Sequence, residues 1–554
     1  MTGDKIMVYI EGYGGYQATS GIKAVDLLNS LDLDTRYPVT AVTINNHLSG
    51  LGTPIIEDAN IKLLDMTTES GSRVYRRTAT FILIKASQKI FPNRRLIIKH
   101  ALSNGLYCEF DNIDIADNSD YLELIDREMA KIIQANQPIN RLVMPKGEAT
   151  NIFKKQNLDD KVDLLSLRDK ENVHLYEIDG FYEYFYGYLA PHTGIINNYR
   201  LIPYDTGLIL QTPSITDPEF NQPYNEQPKL ADIFREAKAW ADMLETPHVA
   251  ALAKKIDNGN LNEIIQINEA LHEKKIAMIA DEICANREKR LILISGPSSS
   301  GKTTFAQRLL IQLKVNGRNP VSVSLDNYFV DREQTPLDEE GNYNFEALEA
   351  LKLDLFNEDL IRLLNGEEVE TPIFNFRTGT TELEGNLCKV PEGEPIIIEG
   401  IHALNDKLTY SIPAKNKYRI YVSALTQLNV DYSNRIPTTD CRLLRRMIRD
   451  SRTRGYSAIN TLNRWPSVRR GEEKNIFPFQ ENADVMFNTS LVYELAILKP
   501  MAEKLLNEIG DHFEEYAEAQ RLLKFLSYFR EAPAEGVPPN SILREFIGGS
   551  WFKH

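Results

Sequence analysis

Residues Gly296 to Thr303, GPSSSGKT, set two glycines, a lysine and a hydroxyl in the spacing G-x-x-x-x-G-K-[ST]. Glycines let such a loop fold tightly enough for its amide hydrogens to converge on phosphate oxygens. The stretch Gly296, Ser298, Ser299, Ser300, Gly301, Lys302, Thr303 and Thr304 therefore reads as a cradle for ATP. Lys302 would neutralise β/γ-phosphate charge, and the Thr303 hydroxyl would hold Mg²⁺. Transfer of a phosphoryl group also needs a base near an acceptor hydroxyl. Asp326 follows the strand-like run PVSVSL, and Glu399 ends the strand-like run PIIIE. Asp326 is placed to take the acceptor's proton or to help hold Mg²⁺, and Glu399 to orient metal or water. A turn-forming Asp and an ordinary strand-end acid are the bland alternatives. The run CRLLRRMIRDSRTRG repeats Arg442, Arg445, Arg446, Arg449 and Arg452 at helical spacing, with Arg454 and Gly455 at its end. One cationic helix face of this kind clamps phosphates, binds nucleic acid, or is simply solvated.

These side chains need a scaffold that brings strand ends to one edge. From residue 289 onward, RLILIS, TTFAQRLLIQLK and PVSVSL alternate strand with helix, which predicts a parallel sheet flanked by helices. Phe305, Leu309 and Leu313 recur at i, i+4 and i+8, one face of a helix directly after the cradle. Residues 1–67 combine short strand-like runs with one helical pattern, a small α+β unit. Residues 68–225 mix helices (TATFILIKASQKIF, DYLELIDREMAKIIQ) with strands (RLIIKH, VHLYEID, GLILQTP) and end in the Pro/Asn-rich stretch TPSITDPEFNQPYNEQPK. Residues 226–288 read as a helical linker region, and 289–554 as the nucleotide-binding unit with C-terminal helices. The expected fold class is multidomain, α/β and α+β.

Six motifs occur in order: GPSSSGKTT, SLDNYF, YNFEALEAL, VETPIFNFRTGTT, IIIEGIHAL and RLLRRMIRDSRTRG. Their sequence and order resemble the uridine kinases and the related phosphoribulokinases. The resemblance implies that Asp326 is the catalytic base, acting with Lys302 and with Arg449 and Arg454. It implies that Thr303, Glu399 and Asp326 surround Mg²⁺. It also implies that the acceptor contacts Asp326, Tyr328, Glu346 or Glu349, Phe374, Arg445 and Arg446. Uridine kinases read the pyrimidine with an aromatic and a histidine near PIFNFRTG. Here Phe374 keeps the aromatic without a tyrosine hydroxyl, and Gly379 stands in the histidine's place. The ribose-reading acid is Glu where the family has Asp.

The first half resembles threonyl-tRNA synthetase. Residues 1–67 resemble its N-terminal β-grasp (TGS) module. Residues 68–225 resemble its second domain, an editing-type α+β fold shared with alanyl-tRNA synthetase, through RRTATFILIKASQKIFP, LSNGLYCEFD and VHLYEIDGFYEYFYGYLAPHTGIINNYRLI. Editing in that fold uses an HxxxH and a later Cys-x-x-x-His. Those positions fall on Arg77, Phe81, Phe185 and Leu189, none of which is a metal ligand, so editing chemistry is expected to be absent. The aromatic run DGFYEYFYGYLAPH is expected to pack a core rather than stack on bases.

The chain carries a net charge of −15 and four cysteines without a CxxC pair. Such a chain is a poor non-specific ligand for nucleic acid or anionic membrane, and its thiols read as reduced, in a cytoplasmic protein. No apolar run approaches the length of a membrane span, and MTGDKIMVYIEGYGG is not the pattern of a signal peptide. The expected activity is ATP- and Mg²⁺-dependent transfer of the γ-phosphate to a hydroxyl of a nucleoside (uridine- or cytidine-like) or related small metabolite. The alternative is an RNA- or tRNA-responsive regulatory ATPase that uses the synthetase-like half to bind a nucleotide or RNA. Homo-oligomerisation is left open.

Overall fold

Beyond residue 289 the alternating strands and helices form a five-stranded sheet. In space it runs Val321–Ser324, Ile396–Glu399, Leu291–Ser295, Lys417–Ser423, Val485–Asn488. Every neighbouring pair is parallel. This computed structural model describes residues 4–31, 33–111, 119–337, 341, 343–375, 378–426 and 428–552. Phe376 and Arg377 of the VETPIFNFRTGTT stretch lie outside them. The central strand Leu291–Ser295 is buried along its whole length, which is why it reads as an unbroken apolar run. The P-loop helix Lys302–Val315 packs on the sheet through Phe305, Leu309 and Leu313, all fully buried. Each such side chain contributes about 1.5–3 kcal/mol of apolar burial.

Residues 226–288, expected as a linker, are built into this unit. They form the helices Pro228–Met243, Val249–Asp257 and Leu261–Ala285. Ile276, Ile279 and Ile283 of the last share one core with Ile292, Ile294 and Phe305. Arg308 of the P-loop helix pairs with Glu269 at 3.3 Å and Glu273 at 2.7 Å.

The first 66 residues hold a five-stranded sheet and the helix Ala24–Leu31, with a core of their own around Val8, Ile10, Val42 and Ile61. After them comes the 22-residue helix Glu69–Ile90, whose cap Thr68 accepts a hydrogen bond from the Gly71 amide at 3.1 Å. Its buried face joins a four-stranded antiparallel sheet and a three-stranded sheet in one core. In DGFYEYFYGYLAPH, Tyr184, Phe185 and Tyr186 are buried, so this run packs as its composition suggests.

The two halves are joined by a buried ionic knot. Lys161 lies 2.9 Å from Glu183 and also pairs with Asp160 and Asp431, with all four side chains at most 2% exposed. The carbonyl of Tyr432, in the loop before the arginine helix Thr438–Arg454, accepts from the Ile98 amide at 2.8 Å. Among the described residues no helix is long and apolar enough to cross a membrane.

Candidate active site

The parallel sheet brings the chemistry to its carboxyl edge. Ser324 and Glu399 are in register on adjacent strands, and Glu399 is level with Ile294, two residues before Gly296. At Gly296 a Cβ would sit 1.9 Å from the Val422 carbonyl, so only glycine lets the loop pass this strand. Gly301, at φ +85°, caps the P-loop helix from the left-handed region with no side chain to occupy the first amides. Thr303 donates its hydroxyl to Glu399 at 3.1 Å. Ser299 and Ser300 are buried, and their hydroxyls have no hydrogen-bond partner among the described residues, as suits a loop that offers donors to phosphate.

Lys302, Asp326, Glu346 and Glu399 are close enough to perturb one another. Burial pushes the Glu399 carboxyl up to about 7, opposed by Lys302 and by the Thr303 hydroxyl and reinforced by Asp326. Burial likewise lifts Glu346 to about 7, with Glu472 adding to the shift and Arg446 and Lys302 opposing it. Asp326 opens to solvent in the cleft, yet the atoms around it raise its pKa, against Lys302, Arg454 and Arg449. Burial lowers Lys302, against the pull of Glu399 and Asp326. Three perturbed acids beside a cradle lysine are characteristic of a reaction centre. Of the two candidate ribose readers, Glu346 faces this centre, and its Cβ packs where a Cβ on Gly471 would lie, 2.5 Å away. Glu349 is exposed outside it.

The arginines do not form one face. Arg442 and Arg445 are buried and pair with Glu472 and Glu494. They brace the cradle from behind: Arg442 donates to the Ser298 carbonyl at 2.9 Å, and Arg445 to that of Ser299 at 3.4 Å. Arg445 is therefore a scaffold residue and not an acceptor contact. Arg446 donates to the Ser298 hydroxyl at 2.8 Å. Arg446, Arg449 and Arg454 gather on one buried carboxylate, Asp450, at 3.3, 2.9 and 3.4 Å. Arg452 turns away to the carbonyls of Glu545 and Phe546. Gly455, at φ +68°, ends the helix where the sequence predicts.

Tyr328 is also corrected. It is 1% exposed and donates its hydroxyl to buried Asp359 at 3.0 Å, so it belongs to the core beside the site. Phe374 is buried against Phe329, ring centroids 5.6 Å apart. Gly379 sits at φ +77° in the turn of the hairpin Glu368–Asn375 and Thr380–Lys389, where a Cβ would meet Arg332 at 2.8 Å. A side chain at that position would need a strained backbone and a shift of the Arg332 side chain.

Several contributors escape the motif reading. Asp450 stands four residues from both Arg446 and Arg454, a helical pairing the sequence does signal. Glu472, Glu494 and Glu545 carry no such local signal. Glu545 accepts from the Thr304 hydroxyl at 2.8 Å, and Ile542 occupies the space a Cβ on Gly301 would take, so the C-terminal segment is packed on the cradle.

For Mg²⁺ the donors present fit. A threonine hydroxyl and a carboxylate hydrogen-bonded to it, with a second acid close by, supply hard oxygens to an ion that takes its remaining ligands from phosphate and water. In the other half, three of the four positions expected to replace editing ligands, Phe81, Phe185 and Leu189, share one core. Phe81 and Phe185 stack edge-on at 5.5 Å in the core that also holds Leu189. Arg77 donates to the Tyr188 carbonyl at 2.7 Å.

Residues 291–495 match the model of the Phosphoribulokinase / Uridine kinase family. In its N-terminal region the chain is 30% identical over 187 residues to a threonine–tRNA ligase of Clostridium tetani (strain Massachusetts / E88), a match covering 34% of this chain and 29% of that protein. It is 31% identical over 180 residues to the ligase of Orientia tsutsugamushi (strain Boryong), covering 32% of this chain and 28% of that one. The chain thus spans less than a third of the length of these ligases. A solved structure described as a possible uridine kinase from Bacillus stearothermophilus is similar at 18% identity and a TM-score of 0.28, over 39% of this chain and 98% of that one. The segment 291–495 thus matches a kinase-family model, and the N-terminal region is similar to threonine–tRNA ligases.

Proposed function

We propose that the chain is an ATP- and Mg²⁺-dependent phosphotransferase that phosphorylates a hydroxyl of a nucleoside or a related small metabolite. The observation that carries this reading is the convergence of Lys302, Asp326, Glu346 and the Thr303–Glu399 pair on one sheet edge, beside three arginines held by Asp450. The cradle amides and Lys302 bind the β- and γ-phosphates. Thr303 and Glu399 are the residues that would hold Mg²⁺, which neutralises charge on the transferring phosphoryl group. Asp326 accepts the acceptor's proton, and its raised pKa suits that role. Arg449 and Arg454, whose charges already act on Asp326, stabilise phosphoryl charge. Glu346 hydrogen-bonds acceptor hydroxyls, and Phe374 packs against the acceptor's flat face. Glycine at position 379 offers no side chain to hydrogen-bond a base, so discrimination among bases is expected to be weak.

The test is ADP formation with Mg²⁺ across the individual ribo- and deoxyribonucleosides, ribulose 5-phosphate, pantothenate and no acceptor. Acceptor-dependent turnover that vanishes in Lys302→Ala supports the reading. Acceptor-independent hydrolysis stimulated by tRNA favours the regulatory ATPase instead.

A further inference from the structure

Between the two halves lies a cavity of about 780 Å³ whose walls come from both. The helix Glu69–Ile90 supplies Arg73, Arg76 and Arg77, and the kinase side supplies Arg435, Arg442 and the first turn of the arginine helix, Thr438 and Thr439. Most cations on these walls are already neutralised. Arg73 pairs with Glu518 at 3.0 Å, Arg521 with Asp440 at 2.7 Å, Lys99 with Glu109 at 2.9 Å and Arg469 with Glu473 at 2.9 Å. Three are not. Arg77 has only the Tyr188 carbonyl and the face of Tyr186, 5.5 Å away. The guanidinium groups of Arg76 and Arg435 make no hydrogen bond or ion pair with any described residue, and both are largely shielded from solvent. Burial depresses the pKa of all three, with Arg435 down to about 10; Arg73 and Arg77 push Arg76 further down against the pull of Glu69, and Arg76 pushes Arg435 down against the pull of Asp440. The nearest acids, Glu69 and Asp440, are already paired with Arg73 and Arg521, and clustered, desolvated cations without an ion pair of their own are costly to the fold and favour a bound anion.

We propose that this cavity binds a small phosphorylated organic anion of nucleotide size, held by Arg76, Arg77 and Arg435 at the amino end of the arginine helix. Three unmatched cations suit a ligand carrying two or three negative charges. The volume is that of a pocket for an organic molecule and far exceeds what inorganic phosphate fills. His100 is neutral, its pKa pushed down to about 3 by burial and by Arg435, and it stacks on Phe234 at 3.8 Å to form a flat aromatic wall. The helix dipole adds a favourable field where Thr438 and Thr439 open on the cavity.

The same helix touches both sites. Arg442 lines the cavity and donates to the Ser298 carbonyl, while Glu472 accepts from the Ser298 amide at 3.0 Å and pairs with Arg442. An anion that draws on Arg442 or on the first turn of this helix therefore acts on the cradle through a single side chain. This linkage, unlike the binding itself, rests on the kinase reading above.

The binding test uses the full chain carrying Lys302→Ala, which weakens the P-loop site, with pyrophosphate and AMP as probes at fixed ionic strength. Equilibrium dialysis should give saturable binding that is at least tenfold weaker when Arg76→Gln and Arg435→Gln are added. Without probe, the added substitutions should leave the melting temperature unchanged or raised, because they remove unmatched charge. Binding that is unaffected by them would overturn the proposal. So would failure of both small probes to bind while an oligonucleotide with a tRNA 3′ end binds. In the otherwise wild-type chain AMP should shift the KM for ATP at least threefold, and the Arg76→Gln/Arg435→Gln chain should show no shift. Equal KM values with and without AMP would sink the linkage alone, whereas absence of any ATP turnover would indict the kinase reading and leave the dialysis result standing.

Discussion

Lys302 and Asp326 carry the chemistry at the scale of single residues, and they are expected to fail differently. Lys302→Ala removes the cradle's own positive charge and should raise the KM for ATP as well as lower kcat. Asp326→Asn keeps the shape but cannot take a proton, so kcat should fall about 10²–10⁴-fold with the KM for ATP little changed. Steady-state kinetics on the two variants separates these outcomes. Glu399 makes a pH prediction. Its carboxyl holds its proton up to about 7 in the folded chain, against an ordinary value of 4.5. Between those values the folded state binds more protons than the unfolded one. Its contribution to stability is therefore fully present below pH 4.5 and is lost as pH rises through 7. Mg²⁺ must displace the same proton, so the Mg²⁺ concentration for half-maximal turnover should fall about tenfold from pH 6 to pH 8. Mg²⁺ titrations of turnover at both pH values check this, and Glu399→Gln should abolish the trend. The cradle residues were legible because their chemistry dictates their spacing. Tyr328 was misread because its position in DNYF says nothing of which way a side chain points, and here it turns to Asp359.

At the scale of elements, the arginine helix and the C-terminal segment hold the site together. Asp450 is buried beneath three guanidinium groups. Asp450→Asn should leave them uncompensated and cost about 3–5 kcal/mol of stability, since breaking a buried ion network strands its charges. Chemical denaturation measures that loss, and a rise in the KM for the acceptor should accompany it as Arg446 and Arg454 lose their anchor. Removing residues 541–554 strips Ile542 and Glu545 from Gly301 and Thr304. The KM for ATP should rise about tenfold in that truncation, a loss near 1.4 kcal/mol of cradle binding. The helix bounds themselves were readable, from the apolar period after the cradle and from Gly455 at the far end. The burial of Arg442 and Arg445 was not. Helical spacing showed a shared surface, but the acids that neutralise them, Glu472 and Glu494, come from 30 and 49 residues away.

At the scale of the whole molecule, the halves are packed together and the start of the chain is joined to them more lightly. The first 66 residues have a core of their own, but Ala41, Leu64 and Met66 also pack into the core of the helix Glu69–Ile90, so deleting 1–67 should lower the melting temperature of the remainder by several degrees and leave it folded. Lys161 is the opposite case. Lys161→Ala would leave Asp160, Glu183 and Asp431 buried together, and should cost about 3–5 kcal/mol and loosen the halves, read by calorimetry. The parallel sheet's first strand begins at Leu291, and the change of strand and helix rhythm near residue 289 was visible in the sequence. The integration of residues 226–288 was not, because an amphipathic helix does not reveal which neighbour covers it. The most direct test of the central claim follows the label from [γ-³²P]ATP in a single turnover with the full chain, Mg²⁺ and a pool of nucleosides, beside the Lys302→Ala and Asp326→Asn chains. The arrangement of Asp326, Glu346 and the cradle predicts label in an organic phosphate ester, absent from both variants. Label found only in inorganic phosphate, with or without the pool, would contradict it.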